Sequence, residues 1–316
     1  MTLIANAFTT YSAKGIREDL TDFIYNISPT DEPFMSNAGR GKATNTFFEW
    51  QTDALASAVT TNQQLEGDSV SGAVTATTAT ARIGNYCEIA YKTFGVSGTE
   101  EVVNKAGRKS ELAYQMAKHA AEIKRDMESS LLANKAYNAG GATTARATAG
   151  LPAWIATNYD KASDGANAAA PSAARTDGTQ RALTETIAKN VIQQCWTSGA
   201  NISTIMLGAT EKQTFSGFAG IATRFAQVQG EEQAAIIGAA DVYVSDFGVL
   251  RVVPNRFQRA RDGWFLDWDY VAINYLQPFK VIELAKLGDA EQRQLLVEYG
   301  LQVKTEKALG LAADLS

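Results

Sequence analysis

The chain has 316 residues, 45% of them hydrophobic and 20% charged, a balance that suits a soluble globular protein of one large domain or two smaller ones. A formal net charge of -5 and an isoelectric point near 5.2 argue against a protein whose task is to neutralise phosphates, while leaving room for a face that meets DNA weakly. Cys87 and Cys195 are too few for a disulfide framework, Met1 to Thr10 lacks a secretory leader's makeup, and no apolar run approaches the roughly 18 residues of a membrane span, so the expectation is a chain made and used in the cytosol.

From the N-terminus, Ile16, Leu20, Phe23, Ile24 and Ile27 recur at helical spacing, with Arg17, Glu18, Asp19 and Asp22 elsewhere on the turn. This short amphipathic helix stops at Ser28-Pro29-Thr30-Asp31-Glu32-Pro33, where each proline biases the residue before it to extended geometry. The chain then runs as an arm through Phe34 and Met35, and it must find its apolar contacts outside its own neighbourhood. Strands are predicted over Phe47 to Leu55 and Thr77 to Tyr91. The interval between them has Leu55, Val59, Leu65, Val70 and Val74 as its only large apolar residues, too few for a core, so it reads as a long, thin hairpin or loop.

Ser97-Gly98-Thr99-Glu100 has the spacing of a capping box, and a helical pattern continues from it to about Asn138, before Gly140-Gly141. Leu112, Met116, Ala120, Ile123, Met127 and Leu131 form its apolar face, and Gly107 is a place for a kink or a delayed start. A helix of about 39 residues would be about 58 Å long, longer than a compact chain of this size is wide, which predicts a flat or elongated molecule. Beyond it, the stretch from Gly140 to Gly178 reads as surface loop around one docking island, Leu151-Pro152-Ala153-Trp154-Ile155. Helices follow over Arg181 to Trp196 and Ala209 to Phe218. Strands are predicted over Ile202 to Leu207, Asp241 to Val253 around Gly248, Trp264 to Leu276, Phe279 to Leu287 and Gln294 to Lys304. The predicted class is α+β with a mostly antiparallel sheet.

Residues able to carry chemistry are sparse, and no catalytic, cofactor-binding or metal-ligating set is assigned. His119 is the sole histidine and lies beside the apolar stripe of the long helix, where a packed side chain outweighs a general base. Gly39-Arg40-Gly41-Lys42-Ala43 departs from a phosphate loop at both ends, with Ser36 in place of the first glycine and Ala43 in place of the hydroxyl, and reads as a basic bend in the arm. Asp267 and Asp269 share one face of a strand and could serve a carboxylate-based hydrolase, but turn capping or a salt bridge between subunits is the better reading. Arg251, Arg256, Arg259 and Arg261 are flanked by Asp246, Asp262, Asp267 and Asp269, which favours charge pairing at an interface over DNA.

Gly15-Ile16-Arg17-Glu18-Asp19-Leu20 followed by Ile27-Ser28-Pro29-Thr30-Asp31-Glu32-Pro33-Phe34 resembles the start of one group of phage major head proteins. The order of elements across nearly the whole chain is similar to the tailed-phage major capsid protein family with its Hong Kong 97-type fold. That resemblance implies an N-terminal arm over 1–46, an extended β-hairpin loop over 47–96 and a spine helix of the peripheral domain over 97–139. It further implies an axial domain with connecting loops over 140–276 and peripheral-domain return strands over 277–316. It also implies self-assembly through hexamers and pentamers into an icosahedral shell around double-stranded DNA, in a virion assembled in the host cytoplasm. Portal and scaffolding or cementing proteins would be partners, DNA would be touched weakly and without sequence specificity, and no membrane or cofactor is involved.

Interface candidates are Ile16, Leu20, Phe23, Ile24, Phe34, Leu65, Arg256 and Arg259. An encapsulin-type nanocompartment shell, which shares the fold, is the alternative. One relative of this fold cross-links through a lysine on the extended loop; Phe47 to Tyr91 contains no lysine, so no such cross-link is predicted, and covalent ladders on denaturing electrophoresis of shells would contradict this.

Overall fold

In the computed structural model the residues described are 31–61, 63, 66–67, 79–104, 109–168, 170–218, 242–286 and 288–316. In chain order the elements are α1 (Pro33–Asn37), β1 (Gly39–Lys42), β2 (Phe47–Thr52), β3 (Ala81–Tyr86), β4 (Glu88–Ser97), α2 (Gly98–Val102), α3 (Glu111–Leu132), β5 (Tyr159–Asp160), α4 (Glu185–Thr197), β6 (Thr204–Leu207), α5 (Ala209–Ser216), β7 (Val242–Ser245), β8 (Gly248–Pro254), β9 (Asp262–Leu266), β10 (Val271–Glu283), β11 (Ala290–Val303) and β12 (Gly310–Ala313). The α+β expectation holds.

Two sheets carry the fold. One has strand order β1-β10-β11-β4 and the other β5-β12-β9-β6-β8-β7, while β2 and β3 form a separate hairpin. Most pairs are antiparallel; β1 with β10, β6 with β8 and β5 with β12 are parallel. The basic segment at Gly39–Lys42 is therefore an edge strand, in register from Gly39 opposite Ala272 to Lys42 opposite Tyr275, where a bend was expected.

The long helix is shorter than its pattern. Ser97 caps α2 by accepting from the Glu100 N–H at 3.3 Å, but α2 ends at Val102 and Val103 is extended. A second helix starts at Ser110, whose hydroxyl accepts from the Ala113 N–H at 3.2 Å. Glu101 stitches the break, because its Oε2 accepts from the Glu111 N–H at 3.0 Å and so satisfies a donor that a continuous helix would have used internally. With 22 residues, α3 is about 33 Å long, and the argument for an elongated shape from helix length falls away.

Sheet membership also moves the expected domain borders. Val271 to Leu276 belong to the four-stranded sheet, and β12 joins the six-stranded sheet between β9 and β5, so the chain after 277 does not serve one sheet alone. Gly310 makes this possible: a Cβ there would come within 2.5 Å of Val191 Cγ1 and 2.7 Å of Cys195 Sγ, so only glycine lets α4 lie against β12. The main core is continuous across the two sheets. Trp264, Leu266 and Leu311 from one meet Val297, Tyr299 and Leu301 from the other, closed by Met127 and Leu131 of α3 and by the island at Leu151–Ile155. A second core lies under α4, where Ile187, Val191 and Cys195 pack with Phe215, Leu250 and Val252.

Candidate assembly surfaces

The arm enters the body at a fixed point. Glu128 on α3 is fully buried and takes the first-turn N–H groups of α1, with Oε1 2.9 Å from the Phe34 nitrogen and Oε2 2.8 Å from that of Met35; Asn255 Nδ2 donates to Oε1 at 2.7 Å. Burial pushes the Glu128 carboxyl up, against the pull of those three donors. Phe34 was expected at an interface, but it is 0% exposed and tilts against Trp268 with ring centroids 5.8 Å apart. Its partners belong to its own chain, because the one-turn helix started by Pro33 points it inward. Ile16, Leu20, Phe23, Ile24 and Leu65 lie outside the described residues.

Two members of the arginine cluster, Arg259 and Arg261, are spent inside the molecule, while Arg251 is exposed. Arg259 Nη1 is 3.1 Å from Asp262 Oδ2, and its Nη2 contacts Asp177. Arg261 reaches Asp314 at 3.3 Å and Asp177 at 3.5 Å, and the buried Arg175 grips Asp314 at 2.9 Å and Asp177 at 2.9 Å. Burial works against ionising Asp314, but Arg175 and the Gly178 N–H outweigh it and hold the carboxyl below its usual range. Burial also pushes Asp262 up to about 6, opposed by Arg259 and Arg175. Arg259 thus ties the 255–262 turn to the 160–181 loop of the same chain. Arg256 is exposed.

The exposed apolar side chains gather in places that pattern reading did not single out. On the hairpin of β7 and β8, Val242, Val244 and Val249 face outward while Tyr243, Leu250 and Val252 face the core. Val244 pairs across the ladder with Val249, and Phe247 at the turn packs against Trp196 of α4 with centroids 5.1 Å apart. The alternation was legible within Asp241 to Val253, but both faces there are apolar, so periodicity alone did not tell outside from inside. On the edge strand β4, Ile89 and Tyr91 are exposed, and Leu55 and Val59 stand free beyond β2. Contiguous apolar surface of this kind marks association.

Nothing among the described residues assembles reactive chemistry. His119 Nδ1 lies 2.7 Å from Glu122 Oε2 and the ring stacks on Phe94, the packed helix histidine that was expected. Asp267 accepts from the Asp269 N–H at 3.2 Å, which is turn capping. Burial pushes the Cys87 thiol up to about 11 and that of Cys195 to about 12, far from a reactive thiolate at neutral pH. Among the described residues there is no group of three His, Cys, Asp or Glu able to hold a metal, and no helix long and apolar enough to cross a membrane.

A family model described as SU10 major capsid protein matches residues 3–316. The major capsid protein of Escherichia phage Phieco32 is 36% identical over 129 residues, a stretch covering 41% of this chain and 36% of that protein's length. The fold is similar to the cyanophage A-1(L) capsid asymmetric unit, with a TM-score of 0.72 at 15% identity over 98% of this chain and 99% of that one. It is also similar to the SrpI encapsulin of Synechococcus elongatus PCC 7942, with a TM-score of 0.59 at 10% identity over 98% and 96% of the two chains.

Proposed function

Since the chain belongs to the SU10 major capsid protein family, we propose that it is the repeating unit of a tailed phage's icosahedral shell, associating with itself through hexamers and pentamers around double-stranded DNA. The match of the family model to residues 3–316 is the observation that carries this reading. Several outward faces at once suit it, because closed shells need heterologous contacts around more than one local axis. In this assignment 1–46 acts as the arm, 47–96 as the extended loop, 97–139 as the spine, and the six-stranded sheet as the axial part. Ile16, Leu20, Phe23, Ile24 and Leu65 meet neighbouring copies, with the exposed Arg256 at the rim. Portal and scaffolding or cementing proteins complete the particle, which is built in the host cytoplasm. The encapsulin reading shares the fold, but the phage relative favours a genome over enzyme cargo.

Negative-stain electron microscopy of the purified protein, backed by light scattering, tests this directly. Closed shells, capsomers, or tubes and sheets made from them are expected; a uniform monomer or dimer across salt and concentration, with scaffold supplied, would sink it. Leu20→Asp or Phe23→Asp is expected to weaken assembly more than folding, and an unfolded variant subunit would contradict that assignment of the arm.

A further inference from the structure

We propose that the edge strand Gly39–Lys42 is a contact surface for the phosphate backbone of nucleic acid. The inference rests on the shell reading and assigns to a surface of the subunit the weak DNA contact implied there.

Arg259 and Arg261, with the buried Arg175, are neutralised by Asp177, Asp262 and Asp314, which leaves only Arg251 and Arg256 of the later basic cluster exposed. Arg40 and Lys42 are the opposite case. Both are exposed, and neither forms an ion pair with any described carboxylate. The chain is acidic overall, but residues 33–48 contain no Asp or Glu at all. Arg40 and Lys42 are the only charged residues of that stretch, which Asp31, Glu32 and Glu49 bound.

The strand also presents both cations in one direction. A Cβ at Gly41 would come within 1.9 Å of Asn274 Oδ1 and one at Gly39 within 3.3 Å of the Val271 carbonyl, so the glycines make room on one face of the sheet for the neighbouring residues of β10. Arg40 and Lys42, alternating with them, share the other face about 6.6 Å apart, which is about two phosphate steps of rise along one DNA strand. As β1 is the outer strand of the order β1-β10-β11-β4, one of its backbone edges has no ladder partner among the described residues. The adjoining Thr44 and Asn45 are exposed and carry hydroxyl and amide donors. Arginine, lysine, small hydroxyl and amide side chains and open backbone N–H groups are the set that contacts phosphate without reading sequence.

The test is fluorescence anisotropy of a mixed-sequence duplex oligonucleotide with the dispersed full-length subunit, across a salt series. The wild type is expected to bind at low salt, and Arg40→Gln with Lys42→Gln to reduce the slope of log K against log salt by about 2, at about 0.9 per lost phosphate contact, and to weaken binding at least fivefold. The charge-preserving Arg40→Lys with Lys42→Arg should restore both. If the double variant fails to fold, the single variants should each lower the slope by about 1. No binding by the wild type, an unchanged slope in the variants, or polyglutamate binding the wild type at least as tightly as DNA at equal charge would overturn the proposal, the last by making this a face for an acidic protein. Because binding is read on dispersed subunits, its failure is separate from a failure to form shells in the microscope.

Discussion

Glu128 joins three stretches of chain that are far apart in sequence, taking N–H groups from Phe34 and Met35 and the Asn255 amide. A hydrogen bond to a charged group contributes about 1.5–3 kcal/mol, and a donor left buried without a partner loses more. Glu128→Ala is therefore expected to lower unfolding free energy by about 3 kcal/mol or more; a loss below about 1 kcal/mol in urea titration would show that the arm is held by Phe34 packing alone. Asp262 gives a pH signature. Its carboxyl is pushed up to about 6 in the folded chain, so its contribution to stability is full below the unfolded value, near 3.8, and is lost as pH rises through about 6. The wild type should lose on the order of 1 kcal/mol from this group between about pH 5 and 7.5, and Asp262→Asn should flatten that fall; equal curves for the two would refute it. Asp314, held below its usual range, acts in the opposite sense and at lower pH, outside that window. Single residues were the least legible scale. Phe34 looked like an unattached apolar side chain because its partners, Glu128 and Trp268, lie 94 and 234 residues further along the chain. Such separation also hid the pairing of Arg259 with Asp177.

Elements were read more securely, because periodicity and capping are local. The capping residue Ser97, the strand at Thr204–Leu207, the α5 helix and the β7 and β8 pieces around Gly248 all appear close to where their patterns place them. The long helix failed for an instructive reason. Its apolar spacing does continue through the break, but Glu101 supplies from the side what the backbone gives up. A capping interaction ten residues away leaves little trace in a pattern. The hairpin of β2 and β3 shows a related dependence on one distant glycine. A Cβ at Gly300 would come within 2.5 Å of Phe48 Cε1, so Gly300→Ala should displace Phe48 and cost about 1–3 kcal/mol by overpacking. Protection of the β2 and β3 amides against hydrogen exchange should fall while that of β6 and β9 is kept; uniform loss across the molecule would mean that the hairpin is not a separable layer.

At the scale of the molecule, the α+β class was legible, and the partition into sheets was not. Strand pairing is decided by contacts across the sequence, so the C-terminal strands looked like one group when β11 and β12 in fact serve different sheets. Leu311 of β12 is fully buried in the core that both sheets share. Leu311→Asp is accordingly expected to abolish the folded state of both sheets together, read as simultaneous loss of far-ultraviolet dichroism and of the buried environment of Trp264; survival of either signal would show that the halves fold separately.

That route has a mechanical meaning. The chain passes from the four-stranded sheet to the six-stranded one, returns through β10 and β11, and crosses again to β12, so covalent backbone spans the two layers three times. A load applied at the β7 rim and resisted at the β4 rim cannot be relieved by letting one layer peel from the other, since peeling would require unthreading β12 from between β9 and β5. The subunit should therefore yield as a single stiff tile, passing tension to its neighbours and concentrating whatever give a curved wall needs at the seams between copies.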